Sequence, residues 1–540
     1  MNLLTEPWMP VRRRNGNRDW VAPDQLADPD IVAFDADRAD FNGALAQFAI
    51  GLLQTTSPVD SAAQWKQTLN NEPSREALQQ WFSQIATAFE FEGNGARYMQ
   101  DCSLRAGDGT VNPIAALLIE APGENAVRNN SDHFIKRDQV ESLCPDCAAL
   151  ALTTLQINAP AGGVGHRTGL RGGGPLSTLL LSHPPRSLWQ DIWFNVQERS
   201  PFLGRGGNTQ CEDWFFTFPW LADIGAIQKD GGETSPSQVH PHHVFWAMPR
   251  RIRLDMDGVT AGSCGVCGRH SDRLISRYLT KNYGLNYKGP WDHPLSPYYE
   301  TKEGWLPLHP QPGGLGYRHW LAWVLGQTGD KKNLRPASML AYTLAHRQRA
   351  MGGGLRIWAF GYDMDNMKAR CWYESVLPLY ALADCGKEGQ SKLKDAVSTW
   401  LAGAELVGSY LRGAVKDAWF SADARGDFSA IDASFWGRTE GVFYRQLKEL
   451  IDTLSVDEQA EINDLPARQK WHAMLVKAAK DLFDGEFVGT GPIERQKPAR
   501  VAAAFRQLNK NLYGPKLRAA LRLPEPEKTK SETKVAKKAA

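Results

Sequence analysis

Leu393–Leu411 reads LKDAVSTWLAGAELVGSYL, and its spacing divides the chain in two. Leu393, Val397, Trp400, Leu401, Ala404 and Leu411 keep the period that gathers side chains on one face of an α-helix. The same spacing returns in Phe443, Leu447, Leu450 and Leu454, in Trp471, Leu475, Ala478 and Leu482, and in Val501, Phe505, Leu508 and Leu512. An amphipathic helix cannot bury its apolar face alone. Four such segments joined by modest loops predict an all-α four-helix bundle over residues 388–522. Beyond it, residues 523–540 (LPEPEKTKSETKVAKKAA) have almost no apolar content and read as a disordered tail.

Residues 1–387 lack that rhythm and predict a mixed α/β domain of irregular sheets and loops. Trp8–Arg14 and Arg18–Val21 flank Asn15-Gly16, a dipeptide that accepts positive φ, so a hairpin is expected there. Asp40 is placed to cap a helix whose face is Phe41, Leu45, Phe48, Ala49 and Leu52. Gln79–Phe89 and Ala148–Leu155 read as further helices. From residue 175 to about 370 the chain is rich in Gly, Pro and aromatics, which favours short strands and loops over long helices.

The 540 residues carry 62 Lys and Arg against 60 Asp and Glu, with 42% apolar content. That excludes disorder over most of the chain and a histone-like coat of charge, so any nucleic-acid surface has to be a local patch. Eight cysteines imply no disulfide framework. No apolar run approaches the ~20 residues that span a bilayer, and the N-terminus lacks the pattern of a secretory signal. The expectation is a soluble cytoplasmic protein with no membrane partner. The 19 tryptophans read as core and interface anchors, with a base-stacking platform the alternative for a few.

Cys144-Pro-Asp-Cys147 and Cys264-Gly-Val-Cys267 share the C-x₂-C spacing of zinc sites. They lie far apart in sequence, so a shared Zn²⁺ would staple distant segments. Four thiolates leave no open coordination position, so the metal would be structural. Unmetallated thiols and a redox dithiol are the rival readings. Cys102, Cys211, Cys371 and Cys385 read as ordinary buried thiols.

Gly162–Gly174 holds seven glycines in thirteen residues. It fails as a nucleotide fingerprint: it follows a helix, and its spacing is not G-x-G-x-x-G. A loop without side chains can still bring backbone groups close to a partner. With His166, Arg167 and Arg171 it suits nucleic acid, against the plainer reading of a flexible loop. His240, His242, His243 and His270 could suggest a metal, but with no H-E-x-x-H or carboxylate triad beside them they read as polar surface. Ile493–Arg518 carries seven basic residues against one acid. On a helix, Arg500, Arg506 and Lys510 would form a phosphate-tracking stripe or merely a solvated face. No nucleophile–base pair or catalytic motif is visible, which favours binding over catalysis.

Taken in order, Asn2–Val11 (NLLTEPWMPV), His133–Asp138 (HFIKRD), Cys144–Cys147, Ala159–Gly163 (APAGG), Gly169–Gly173 (GLRGG), Lys281–Gly284 (KNYG) and His293–Pro297 (HPLSP) resemble the CasA family. CasA is the large subunit of the type I-E CRISPR surveillance complex called Cascade. The resemblance runs to about residue 520. It implies a mixed α/β domain followed by a four-helix bundle, and no enzymatic activity. The implied partners are other Cascade subunits, the CRISPR guide RNA, target double-stranded DNA bearing a PAM, and a helicase-nuclease. Members read the PAM from the minor groove and open the neighbouring duplex, while base pairing with the guide reads the sequence.

Residue by residue, the resemblance puts the family's glycine loop on Ala161, Gly162, Gly163, Val164 and Gly165. Its lysine finger falls on Lys281, with Lys288 as the other register. Its wedge falls on Asp365 and Asn366, where other members carry glutamine, with Met364 and Met367 alongside. There Asp365 would repel phosphates and Asn366 would hydrogen-bond an exposed base; a plain surface hairpin is the alternative. The loop that docks near the guide's 5′ handle falls on residues 125–135, with Phe134 as aromatic anchor. Two functions of other kinds stay open beside this one: a zinc-containing enzyme with an unrecognised site, and a general DNA-binding scaffold.

Overall fold

A computed structural model describes residues 1–105, 107–122, 139–228, 231–328, 333–348, 351, 354–365, 368–420, 426–460, 464–489 and 497–525. The chain forms two compact units. One comprises Met1–Gln311 with Ala322–Leu379, and the other Pro312–Leu321 with Tyr380–Ala540. The architecture is mixed α/β with small antiparallel sheets and a C-terminal helical region. Among the described residues no helix is long and apolar enough to cross a membrane.

The first unit opens with β1 (Met9–Arg13) and β2 (Arg18–Val21), joined through Gly16 at φ 87°. β3 (Ile31–Phe34) adds to the other edge of β1. The helix Ala39–Thr56 follows. Arg38, not Asp40, stands at its N-cap. The Asp40 carboxylate is instead engaged by the Arg38 guanidinium and the Tyr362 hydroxyl, and it sits buried inside the first turn. The predicted apolar face is fully buried, and Phe48 lies in an aromatic cage of Trp8, Phe89, Tyr98 and Trp246 with ring centroids 5.2–6.0 Å away. The expected helix Gln79–Phe89 is two elements: an α-helix Arg75–Phe82, capped by Ser74, then a 3₁₀ segment Ser83–Phe89.

Three sheets carry the candidate site. β4 (Thr110–Pro113) and β6 (Arg251–Leu254) flank β9 (Arg277–Lys281). β7 (Thr260–Ser263) pairs with β8 (His270–Leu274). β5 (Ser177–His183) lies against β13 (Gly354–Asp365), which makes a long hairpin with β14 (Lys368–Leu379). A further small sheet holds β10 (Tyr298–Thr301), β11 (Gly304–Pro307) and β12 (Leu334–Arg335). The helix Pro145–Asn158 starts at Cys144 and packs on Ala39–Thr56.

In the second unit the helix Gly386–Trp419 contacts Ser429–Val456, Leu465–Leu482 and Pro498–Leu512. The short helix Pro515–Ala520 packs on it as well. All four predicted apolar faces point inward, apart from half-buried Val501 and Phe505 and exposed Lys- and Arg-bearing flanks. Gly403 lets the chain come close: a Cβ there would lie 2.3 Å from Leu521 Cδ2. Trp471 donates its indole N–H to the Trp400 carbonyl at 2.9 Å. Pro312–Leu321 belongs here because Tyr317 stacks on Phe443 at 4.4 Å and shares a 2.8 Å hydrogen bond with Thr439.

Candidate nucleic-acid interface

The two cysteine pairs meet. Leu143 and Ile275 exchange backbone hydrogen bonds of 2.9 and 2.8 Å, which docks the start of the Pro145–Asn158 helix beside the β7–β8 turn. Cys144 is the helix N-cap and accepts from the Cys147 N–H; its own N–H donates to Cys264 Sγ at 3.4 Å. The four Sγ atoms lie within 4.8 Å of one another, with Cys144 and Cys267 at 3.8 Å. A tetrahedral zinc–thiolate site has sulfur–sulfur edges of about 3.8 Å, from a Zn–S distance near 2.3 Å. The donor set and spacing therefore fit a divalent soft metal. Hydrogen bonding with Cys144 pulls the Cys267 thiol below its ordinary value. Of the other four cysteines, Cys385 is buried as expected, whereas Cys102 and Cys211 are half-buried and Cys371 is exposed on β14.

The glycine-rich segment is a closed loop. Gly169 and Gly174 donate to the carbonyls of Ala159 and Asn158 at 3.0 and 3.1 Å, so both ends are pinned where the helix stops. Gly163 and Gly165 have φ of 69° and 78°, a region that favours glycine. Gly163 and Val164 are exposed, Val164 to 79%.

This loop is clamped to the segment after β9. Asn282 Nδ2 donates to the Val164 carbonyl and the Tyr283 N–H donates to the Gly165 carbonyl, each at 2.8 Å. A Cβ on Gly165 would lie 2.7 Å from Asn282 Cβ. Exposed Lys281 ends β9 immediately before these contacts, whereas exposed Lys288 lies beyond the turn, its N–H on the Thr234 carbonyl. Asn282 and Tyr283 escaped the sequence reading as site residues, because a pairing across more than a hundred residues leaves no local pattern.

Positive charge lies beneath the loop. The guanidinium of half-buried Arg250 donates to the Pro160 carbonyl, and burial lowers its pKa to about 10. Arg171 differs from the expectation that it faces a partner. It is 4% exposed, donating to Ser177 and Ser296 at 2.9 Å and to Gln47. Burial lowers it also to about 10, so at neutral pH it stays charged. Among the described residues no carboxylate pairs with Arg167, Arg171, Arg250 or Lys281. These cations are therefore not offset by a direct ion pair, which suits an anionic partner at exposed Lys281 and half-buried Arg167.

The β13–β14 hairpin places Asp365 opposite Lys368 at its tip. Asp365 is not a bare carboxylate: Arg370 lies 3.4 Å away and also grips Asp363 at 2.7 and 3.1 Å. Gly174 packs against this hairpin, since a Cβ there would lie 2.9 Å from Met364 Cε. Asn366 and Met367 lie outside the described residues, as do Phe134 and residues 125–135 around it. In the second unit, Arg506 and Lys510 are exposed on Pro498–Leu512, while the Arg500 guanidinium is engaged by the Phe420 carbonyl. The histidines do not form a polar surface. His242 and His243 are buried in packing with Phe202 and Tyr287, and only His270 is plainly exposed, as a strand residue.

An anion-favouring rim of exposed backbone with basic side chains around it is, chemically, a surface for a polyanion. The chain belongs to the family of the CRISPR-associated protein Cse1, whose profile matches residues 2–482. Its fold is similar to that of Thermus thermophilus CasA (Cse1), at 16% identity and TM-score 0.65, covering 95% of this chain and 99% of that one. Cse1 from Acidimicrobium ferrooxidans is similar at 17% identity and TM-score 0.60, covering 97% and 98%. A chain of a CRISPR RNA-guided surveillance complex is similar at 16% identity and TM-score 0.62, covering 95% and 99%.

Proposed function

We propose that this protein is the non-catalytic PAM-recognition subunit of a cytoplasmic, guide-RNA-containing Cascade complex. It binds other Cascade subunits and the guide RNA, contacts PAM-bearing duplex DNA, opens the duplex beside the PAM and receives the helicase-nuclease. The observation that carries the reading is the clamp between Ala161–Gly165 and Lys281–Gly284. It presents exposed backbone and a lysine on one rim, above arginines that lack carboxylate partners. The minor groove offers mainly acceptors at its floor, which a lysine can reach, and its degenerate pattern suits a permissive PAM. The wedge is Asp365, at the end of β13, with Asn366 next to it in sequence. Because Arg370 and Lys368 together balance Asp363 and Asp365, the hairpin tip can approach DNA without a net negative charge. The helices of the second unit act as a four-helix bundle that supports phosphate contacts.

The four cysteines Cys144, Cys147, Cys264 and Cys267 would hold Zn²⁺ as a closed structural site. Such a site has no position for substrate or water, which disfavours a zinc enzyme built on it.

The test separates reading from opening. Gly163→Asn tolerates positive φ and adds bulk into open space. In the assembled complex it should weaken binding to PAM duplex even when the target is pre-opened as a bubble. Replacing Asp365 and Asn366 with Ala should impair R-loop formation on closed duplex, and the bubble should restore it. Equal rescue of both variants, or of neither, rejects this division of roles. Binding that ignores the PAM altogether would point instead to a general DNA scaffold.

A further inference from the structure

Tyr283 occupies an unusual position beside the glycine loop. Its φ is 67°, in the left-handed region where a bulky residue is strained. The chain pays for this conformation with fixed contacts on both sides. The Tyr283 N–H holds the Gly165 carbonyl, and the following Gly284 fits where a Cβ would lie 2.0 Å from the Pro249 carbonyl oxygen. The consequence is an aromatic ring laid over Gly165: a Cβ there would be 3.1 Å from Tyr283 Cζ.

The ring is not core. It is 47% exposed, on the same rim as Val164. The Arg167 guanidinium sits over it, 5.5 Å from the ring centroid. Arg167 has no carboxylate partner among the described residues, and its Nε has no hydrogen-bond partner. An exposed ring in a costly backbone conformation, bearing an uncompensated cation, is suited to a polyanion that sets apolar sugar surface beside phosphate.

We propose that Tyr283 and Arg167 are a further pair of duplex-contacting residues, flanking the glycine loop and Lys281. The ring packs on the sugar wall of the PAM minor groove, and the guanidinium bonds the adjacent phosphate. This rests on the reading of the loop given above. It assigns the ring to affinity and Arg167 to backbone positioning, so neither chooses the PAM sequence.

The experiment uses the assembled complex with its guide RNA, and a PAM duplex selected by the wild-type complex from a randomised library. Tyr283→Asn keeps a residue that tolerates φ > 0 and removes the ring. It should lose affinity about tenfold, the order expected when one ring no longer buries its apolar face, without lowering the unfolding temperature. Tyr283→Phe should stay within about twofold of wild type, since ring packing survives. Arg167→Gln should reduce the magnitude of the salt slope by about 0.9, one phosphate contact. Wild-type affinity in Tyr283→Asn, or equal losses in the Asn and Phe variants, overturns the proposal. Should Tyr283→Asn fail to fold, an unchanged salt slope in Arg167→Gln overturns it alone. If Gly163→Asn weakens binding while the Tyr283 and Arg167 variants do not, this inference falls and the loop's role stands. If Gly163→Asn and Lys281→Ala are both without effect, the loop's role falls whatever Tyr283 does.

Discussion

At the scale of single residues, burial reverses roles that residue type proposes. His243 is 1% exposed, between the Phe216 carbonyl at 2.9 Å and the Tyr287 hydroxyl at 3.1 Å. Burial holds its pKa down at about 4, below the ordinary 6.5. The unfolded chain therefore binds a proton between those values that the folded chain does not. Stability from neutral His243 is fully present above pH 6.5 and is lost as pH falls toward 4. The loss approaches about 1.4 kcal/mol per pH unit. Chemical denaturation of wild type and His243→Gln between pH 7 and 5 should show a shallower pH slope in the variant. Parallel slopes would mean that His243 is not held neutral. Nothing in the local pattern around His240 announces this, because the rings packed on His243, those of Tyr287 and Trp291, come from a distant segment. Asp40 and Arg171 depart from their expected roles for the same reason: a carboxylate in a capping position and an arginine in a glycine loop look available until Tyr362, Gln47 and Ser296 are packed against them.

At the scale of elements, periodicity was legible where one face of a long helix is apolar. Gly386–Trp419 and its three long neighbours match the spacing of their leucines and aromatics. The break between Phe82 and Ser83 had no such signal, since a 3₁₀ turn continues an apolar pattern with only a small phase change. The glycine loop was legible as a loop, but its clamp was not, since Asn282 and Tyr283 lie in the segment after β9, more than a hundred residues away in sequence. The helix Pro498–Leu512 carries the next prediction. Arg506 and Lys510 are one turn apart and exposed, whereas Arg500 spends its guanidinium on the Phe420 carbonyl. Phosphate contact should therefore come mainly from Arg506 and Lys510. Changing both to Gln should reduce the magnitude of the salt slope on duplex by up to about 1.8, and adding Arg500→Gln should change it little more. If affinity and slope both stay at wild type, this face is only solvated.

For the whole molecule, the cysteine cluster decides how far local motifs reach. The two C-x₂-C pairs were legible in sequence, and their convergence follows from one backbone exchange, Leu143 with Ile275. That exchange joins the helix leading into the glycine loop to the hairpin preceding β9, which ends at Lys281. A closed metal site here would act through folding, because the unfolded chain holds no such cluster and binding free energy becomes folding free energy. Freshly purified protein should contain one zinc per chain by elemental analysis. Cys264→Ser should lose it and lower the unfolding temperature. Amide exchange should accelerate first across β7, β8 and the start of Pro145–Asn158, and the helices after Tyr380 should keep their protection, because they have their own buried core. PAM preference, measured on the surviving folded fraction, should match wild type, since no cysteine of the cluster lies among the loop contacts around Val164 and Gly165. Zinc-free protein of undiminished stability would show that thiol hydrogen bonds and packing hold these segments together without a metal. A changed PAM preference at full zinc occupancy would give the cluster a direct part in reading.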